Sequence, residues 1–140
     1  MKKFLILLAL VFAVYSPLGH AQDTEFDCLA RNVYYEARGE NYKGKLAVAL
    51  VTLNRTEDAR FPKTICSVVY QKRQFSWTSK FYKTQVNKKE WQESKNAAFD
   101  AYMNRNILGK FKATHYHNFT VSPKWGLKKV AVIHNHIFYM

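Results

Sequence analysis

The sequence predicts a mainly helical α+β domain of about four helices closed by a short C-terminal hairpin or an irregular aromatic segment. Three observations predict it: apolar residues at helical spacing over 26–38, an almost unbroken apolar run from Leu46 to Leu53, and a tail from His115 to Met140 rich in aromatic and β-branched residues. In the first helix Phe26, Leu29, Ala30, Val33, Tyr34 and Ala37 share a face, Thr24 with Asp27 makes a capping pair, and Gly39 stands where the helix stops. Asn41 caps a second helix whose run Leu46–Leu53 is hydrophobic nearly all round, as in a helix buried on most sides. Pro62 breaks the pattern, Ile65 to Tyr70 predict a short third helix, and Gln74-Phe75-Ser76-Trp77 reads as an ordered loop. Asn87 with Glu90 forms a capping box, and Trp91, Ala98, Ala101, Tyr102 and Leu108 trace a fourth helix ending at Gly109. Turn signals at Ser122-Pro123 and Trp125-Gly126 argue against a fifth.

Ahead of this domain, Lys2 and Lys3 precede an apolar run from Phe4 to Tyr15 and the small-residue site Gly19-His20-Ala21, the pattern of a secretory signal peptide over residues 1–21. The run is shorter than the roughly 18 residues a spanning helix needs, so an export signal is favoured over an anchor, and no stable membrane insertion is expected after cleavage. Residues 22–140 then form one domain, exported to the periplasm, cell wall or exterior. The formal charge of +12 falls to +10 once the two lysines leave. Such a surface favours polyanionic partners, and in that compartment these are wall polymers and anionic lipid. The basic residues are scattered rather than clustered, which argues against nucleic acid. Two cysteines, Cys28 and Cys66, in an oxidising compartment suggest one disulfide, with two buried thiols as the other possibility.

At about 100° per residue, Glu36 lies within roughly 20° of Leu29 on the core-facing side of the first helix, one turn from Asn32. Burial raises a carboxyl pKa, so Glu36 is placed to hold a proton near neutral pH and give it to a leaving oxygen. Glu40 stands one turn further on and could flank the same bond. A purely structural reading pairs Glu36 with Arg38 or Arg55 instead, and periodicity does not choose between the two.

The string Leu29-Ala30-Arg31-Asn32-Val33-Tyr34-Tyr35-Glu36-Ala37-Arg38-Gly39-Glu40 closely resembles the opening motif of the SleB-type cell wall hydrolases, the family of the spore-cortex-lytic enzymes. The likeness continues in order through Gly44 and Ala47-Val48-Ala49, Leu53-Asn54-Arg55, Phe61 to Cys66, Val68 to Gln71 and Gln74-Phe75-Ser76-Trp77. It closes with Ala113 to His117, Pro123, Trp125, His136 and Phe138-Tyr139, and so spans nearly the whole mature chain. The resemblance implies a lysozyme-like fold, muralytic activity on peptidoglycan glycan strands without a metal or cofactor, and Glu36 as the catalytic acid of a lytic transglycosylase. Candidate substrate-binding residues are Glu40, Gln74, Phe75, Trp77, Tyr116, His117 and Trp125, since amides and imidazoles bond sugar hydroxyls while aromatic faces stack on sugar rings. One position departs from the pattern: His134 stands where the resemblance leads one to expect glycine.

Two other readings stand beside this one. His115-Tyr116-His117 and His134-Asn135-His136 are two His-x-His pairs that, on adjacent strands, could hold zinc for a wall hydrolase. A basic, aromatic-rich monomer could also grip glycan without cleaving it.

Overall fold

The computed structural model describes residues 23–79 and 86–140; the signal segment expected over 1–21 lies outside the described residues. Its elements are α1 (Glu25–Ala37), α2 (Tyr42–Glu57), α3 (Ile65–Val69), a 3-10 turn (Ser76–Ser79), α4 (Lys88–Met103), β1 (His115–Asn118), β2 (Lys129–Ile133) and β3 (His136–Tyr139). The chain thus adopts the mainly helical α+β class expected of it.

Local chemistry starts each helix. Thr24 Oγ1 accepts from the Asp27 N–H at 3.1 Å while the Thr24 N–H donates to Asp27 Oδ2 at 3.1 Å, a closed capping box. Asn41 Oδ1 takes the Gly44 N–H at 2.9 Å to start α2, and Thr64 Oγ1 takes that of Ser67 at 3.2 Å to start α3. The Glu25 carboxylate accepts the leading amides of α3, from Ile65 and Cys66, so the first turn of α1 also caps its neighbour.

The apolar run of α2 is buried from Gly44 through Leu53, as its all-round hydrophobicity predicts. Fully burying each large aliphatic there contributes roughly 1.5–3 kcal/mol. α1 and α4 pack against α2 and against each other. The buried face of α4 is made of small residues, Ser94, Ala97, Ala98 and Ala101, which let it approach closely, whereas Tyr102, expected on that face, is exposed. Asn87 does cap α4, accepting from Glu90 N–H at 3.1 Å, but the box is half made. The Asn87 N–H donates instead to the Tyr34 hydroxyl at 3.1 Å, and the Glu90 carboxylate turns to the buried Lys45 ammonium at 3.2 Å.

α4 ends at Met103, well short of the Gly109 boundary that the spacing predicts. Asn104 stops it: its side chain accepts from Asn106 N–H at 3.1 Å, a local bond that competes with helix continuation. Gly109 does adopt a left-handed φ of 72°, but within the turn that follows.

The tail is neither a lone hairpin nor irregular. It forms a three-stranded antiparallel sheet in the order β1-β3-β2, with His117 opposite Ile137 and Val132 also opposite Ile137. The side chain of Asn54 holds the approach to β1, donating to the carbonyls of Phe111 at 3.0 Å and Ala113 at 2.9 Å. Arg55 Nε extends that line to the Thr114 carbonyl at 2.7 Å, so α2 sets where β1 begins.

Cys28 of α1 and Cys66 of α3 form a disulfide across 38 residues, and no free cysteine is left. By loop-closure entropy a ring of this size contributes about 3–4 kcal/mol. Reduction is therefore expected to lower the melting temperature by roughly 10–20 °C, measured by circular dichroism with and without reductant. A shift of under about 3 °C would show that α3 is held by its packing and caps alone.

Candidate active site

Glu36 sits half-buried on the last turn of α1. Beneath it the buried Asn32 side chain links two elements, donating to Thr52 Oγ1 of α2 at 3.2 Å and accepting from Trp77 Nε1 at 2.9 Å. The Tyr116 hydroxyl, from the middle of β1, donates to Glu36 Oε2 at 3.0 Å. Burial raises the Glu36 pKa; the Tyr116 bond and the nearby Arg55 charge pull the other way and only partly offset it. Burial beside Glu36 also raises Tyr116 well above the ordinary phenol range, so its hydroxyl stays a donor. The ion pair left open by the sequence is not made. Arg38 lies over the Tyr34 ring, and Arg55 bonds Thr114 and, through Nη1, Gln74 Oε1 at 3.1 Å.

Tyr116 and Arg55 line a cleft of about 480 Å³ with Arg73, Gln74, His115, Trp125 and Leu127. Trp125 is 43% exposed and meets His117 and Tyr139 edge-on, leaving ring surface open to a ligand. His117 stacks on Tyr139 and its Nε2 lies 2.9 Å from the Tyr139 hydroxyl. Its Nδ1 lies 2.8 Å from the Asn118 carbonyl, which can only accept, so Nδ1 donates there. Phe75 and Trp77, expected among the substrate-binding residues, lie in the core at 4% and 9% exposure. Phe75 supports the Arg55 guanidinium and Trp77 stacks on Tyr35, so neither ring offers a face to a sugar.

Glu40 has a different environment from Glu36. Only 8% exposed, it accepts from His134 Nδ1 at 2.8 Å, from the Asn135 N–H at 3.2 Å and from Asn135 Nδ2 at 3.0 Å, with His136 Nδ1 at 3.6 Å. Burial alone would raise its pKa, but the Asn135 backbone bond, the two side-chain bonds and His136 together outweigh it and hold the carboxyl below its ordinary range. Its oxygens are thus engaged by the β2–β3 turn rather than offered to a substrate. His134 occupies the first central position of that two-residue turn with φ at 48°, a conformation glycine adopts without strain. The bond to Glu40 offsets the strain that histidine carries there. The Glu40 carbonyl is held in turn by Lys45 Nζ at 2.7 Å.

The zinc arrangement does not form. In the β1–β3 register His115 and His117 share one face with Tyr139, while His136 lies on the opposite face against Tyr116, and His134 is taken by Glu40. Among the described residues no group of three or more His, Cys, Asp or Glu side chains is arranged to hold a metal. Lys45 was absent from the residues that the sequence singled out, Arg55 was read only as an ion-pair partner of Glu36, and His134 only as a zinc candidate and a departure from glycine, not as a partner of Glu40. A basic residue at either end of an otherwise apolar helix was the available signal for the first two.

The profile of a family described as Cell Wall Hydrolase matches residues 39–139, from just after Glu36 almost to the end of the chain. The chain is similar to the spore cortex-lytic enzyme of Oceanobacillus iheyensis, 45% identical over 60 residues, which cover 43% of this chain and 21% of that protein. It is similar to the spore cortex-lytic enzyme of Bacillus cereus, 34% identical over 125 residues, 87% of this chain and 46% of that protein. The chain thus spans less than half the length of these curated relatives. Among solved structures it resembles the catalytic domain of SleB, a germination-specific lytic transglycosylase from Bacillus anthracis. The TM-score is 0.67 at 33% identity, covering 89% of this chain and 100% of that one.

The placement of Glu40 depends on Gly44. A Cβ there would come within 3.0 Å of both Glu40 Cβ and Oε2. A helical Gly→Ala exchange ordinarily stabilises by about 0.5–1 kcal/mol. Gly44→Ala is expected instead to destabilise by about 1 kcal/mol, because it displaces a buried, fully bonded carboxylate. Chemical denaturation measures it, and a net gain in stability would show that Glu40 is free to move.

Proposed function

The chain belongs to the cell wall hydrolase family, and from that premise we propose that it cleaves the MurNAc–GlcNAc glycosidic bond of peptidoglycan as a lytic transglycosylase, with Glu36 as the acid and then the base. The observation that carries the reading is the divergence of two glutamates one turn apart: Glu36 has a raised proton affinity beside a cleft, while Glu40 is held ionised by a turn. A retaining or inverting hydrolase ordinarily uses a second carboxylate as nucleophile or base. Here the neighbouring carboxylate is bonded to His134 and Asn135, which favours a one-carboxylate mechanism.

In that mechanism Glu36 protonates the glycosidic oxygen as its bond to the muramic C1 breaks. The resulting carboxylate then takes the proton of the muramic 6-hydroxyl as that oxygen closes onto C1. The product is a 1,6-anhydromuramic end, and Glu36 is returned to its acid form. Tyr116 steadies the carboxylate between the two proton transfers. Trp125, Gln74 and His117 contact the sugars, Trp125 by stacking. The working form is residues 22–140, exported behind the signal of residues 1–21 and active as a monomer on the wall.

Mass spectrometry of soluble products from purified peptidoglycan tests the reading. Anhydromuropeptides are expected from the wild type, with a loss of about 100- to 10,000-fold in Glu36→Gln at unchanged circular dichroism. Reducing-end products would make the protein a hydrolase, cleaved stem peptides would make it a peptidase, and no product from wild type would leave a binding module. A second test follows from the sign of the Tyr116 bond. That bond stabilises the charged carboxylate, so Tyr116→Phe lets Glu36 keep its proton to higher pH. The basic limb of the kcat/KM profile is expected to move to higher pH, and an unmoved limb would remove Glu36 as its titrating group.

A further inference from the structure

We propose that the cleft beside Glu36 contains a carboxylate-binding subsite, formed by Arg73 with Arg55, that selects glycan strands carrying an anionic substituent. The inference rests on the glycan reading above and adds which strands the cleft prefers.

Its basis is where the chain places its negative charge. The sequence has ten Asp and Glu side chains, and all ten lie among the described residues. Asp23 pairs with Arg31, Asp58 with Arg60, Glu57 with Arg105, and Glu90 and Glu93 with Lys45. Asp27 closes the α1 cap, Glu25 caps α3, Asp100 accepts from the Tyr42 hydroxyl and Glu40 holds the β2–β3 turn. Glu36 alone is left near the cleft, and its raised proton affinity makes it a poor counter-ion. The lining residues Arg55, Arg73, Gln74, His115, Tyr116, Trp125 and Leu127 include no acid.

Arg55 shows the imbalance most clearly. It is 5% exposed, yet no carboxylate lies within 4 Å of it; its partners are a carbonyl, the Gln74 amide and the rings of Phe61 and Phe75. A buried cation ordinarily has an anion beside it. Burial and the charges of Arg55 and Arg60 also hold the His115 pKa down, so the cleft is electropositive without a charged histidine. Arg73 stands at the rim in a left-handed conformation, φ 65°, and makes no ion pair among the described residues. Backbone strain of this kind persists where the surrounding structure holds it, and it concentrates at ligand sites. Here it accompanies a guanidinium that lines the cleft.

A planar carboxylate matches the guanidinium fork in two-point geometry. On wall glycan that group has two sources: the lactyl carboxylate of muramic acid where the peptide has been removed, and the carboxylates of the stem peptide where it remains. Calorimetric titration of the non-cleaving Glu36→Gln protein, with and without Arg73→Gln, separates them. The titrants are soluble strands bearing stem peptides, strands stripped of peptide, and stripped strands whose lactyl groups are methylamides. Arg73→Gln is expected to weaken binding of carboxylate-bearing strands about tenfold and to leave the methylamide strands unchanged. Whichever of the first two preparations loses affinity identifies the source. Equal weakening of all three, or of none, overturns the subsite while leaving the glycan reading intact. Failure of every preparation to bind either protein overturns the glycan reading and the subsite with it.

Discussion

The Glu40 carboxylate joins the end of the first helix to the β2–β3 turn. It lies where α1 gives way to α2, and its bonds reach a turn 94 and 95 residues away in sequence. Burying an ionised carboxylate costs several kcal/mol unless its acceptor sites are filled. Here three hydrogen bonds and a nearby histidine fill them, Lys45 anchors the adjoining carbonyl, and Gly44 leaves the space. That joint fixes the β2–β3 turn against the helices, while Asn54 and Arg55 fix the start of β1, which among the described residues pairs with β3. Tyr116 rides on β1, so the bond it gives Glu36 draws on both anchors, one of them a residue four positions on from Glu36 itself.

The same joint explains why two glutamates of similar intrinsic acidity part company. Each is taken from water, which alone would make both hold their protons. Glu40 receives enough donors to reverse that tendency; Glu36 receives one hydroxyl and the nearby charge of Arg55, which do not. A single residue type thereby supplies a structural anion and a proton-holding acid within one turn of chain. What differs is the number of donors that the sheet delivers to each.

Features governed by neighbours in sequence were legible before the fold was known. The Thr24–Asp27 box, the burial of α2, and the half-burial of Glu36 all follow from spacing within a few residues. An even cysteine count suggested the disulfide without excluding two buried thiols, and the approach of α1 to α3 decides it. What was illegible depended on distant partners or on competition between local bonds. Glu40 reads as a second site carboxylate until the His134-Asn135 turn is seen to face it. Phe75 and Trp77 look like groove residues in a polar-aromatic loop, but Asn32 and Tyr35 draw Trp77 inward. α4 stops at Asn104 because one side-chain bond outcompetes a helix that the apolar stripe alone would continue.

His134 shows how one departure from an expected pattern is absorbed. A turn with a left-handed first residue favours glycine, and a side chain there costs of order 1 kcal/mol. Histidine is among the residues that tolerate this conformation, and its imidazole adds a donor that glycine lacks. That donor meets the carboxylate which most needs one, so strain in the turn and burial of Glu40 offset each other. The histidine therefore adds a bond between the turn and the end of α1.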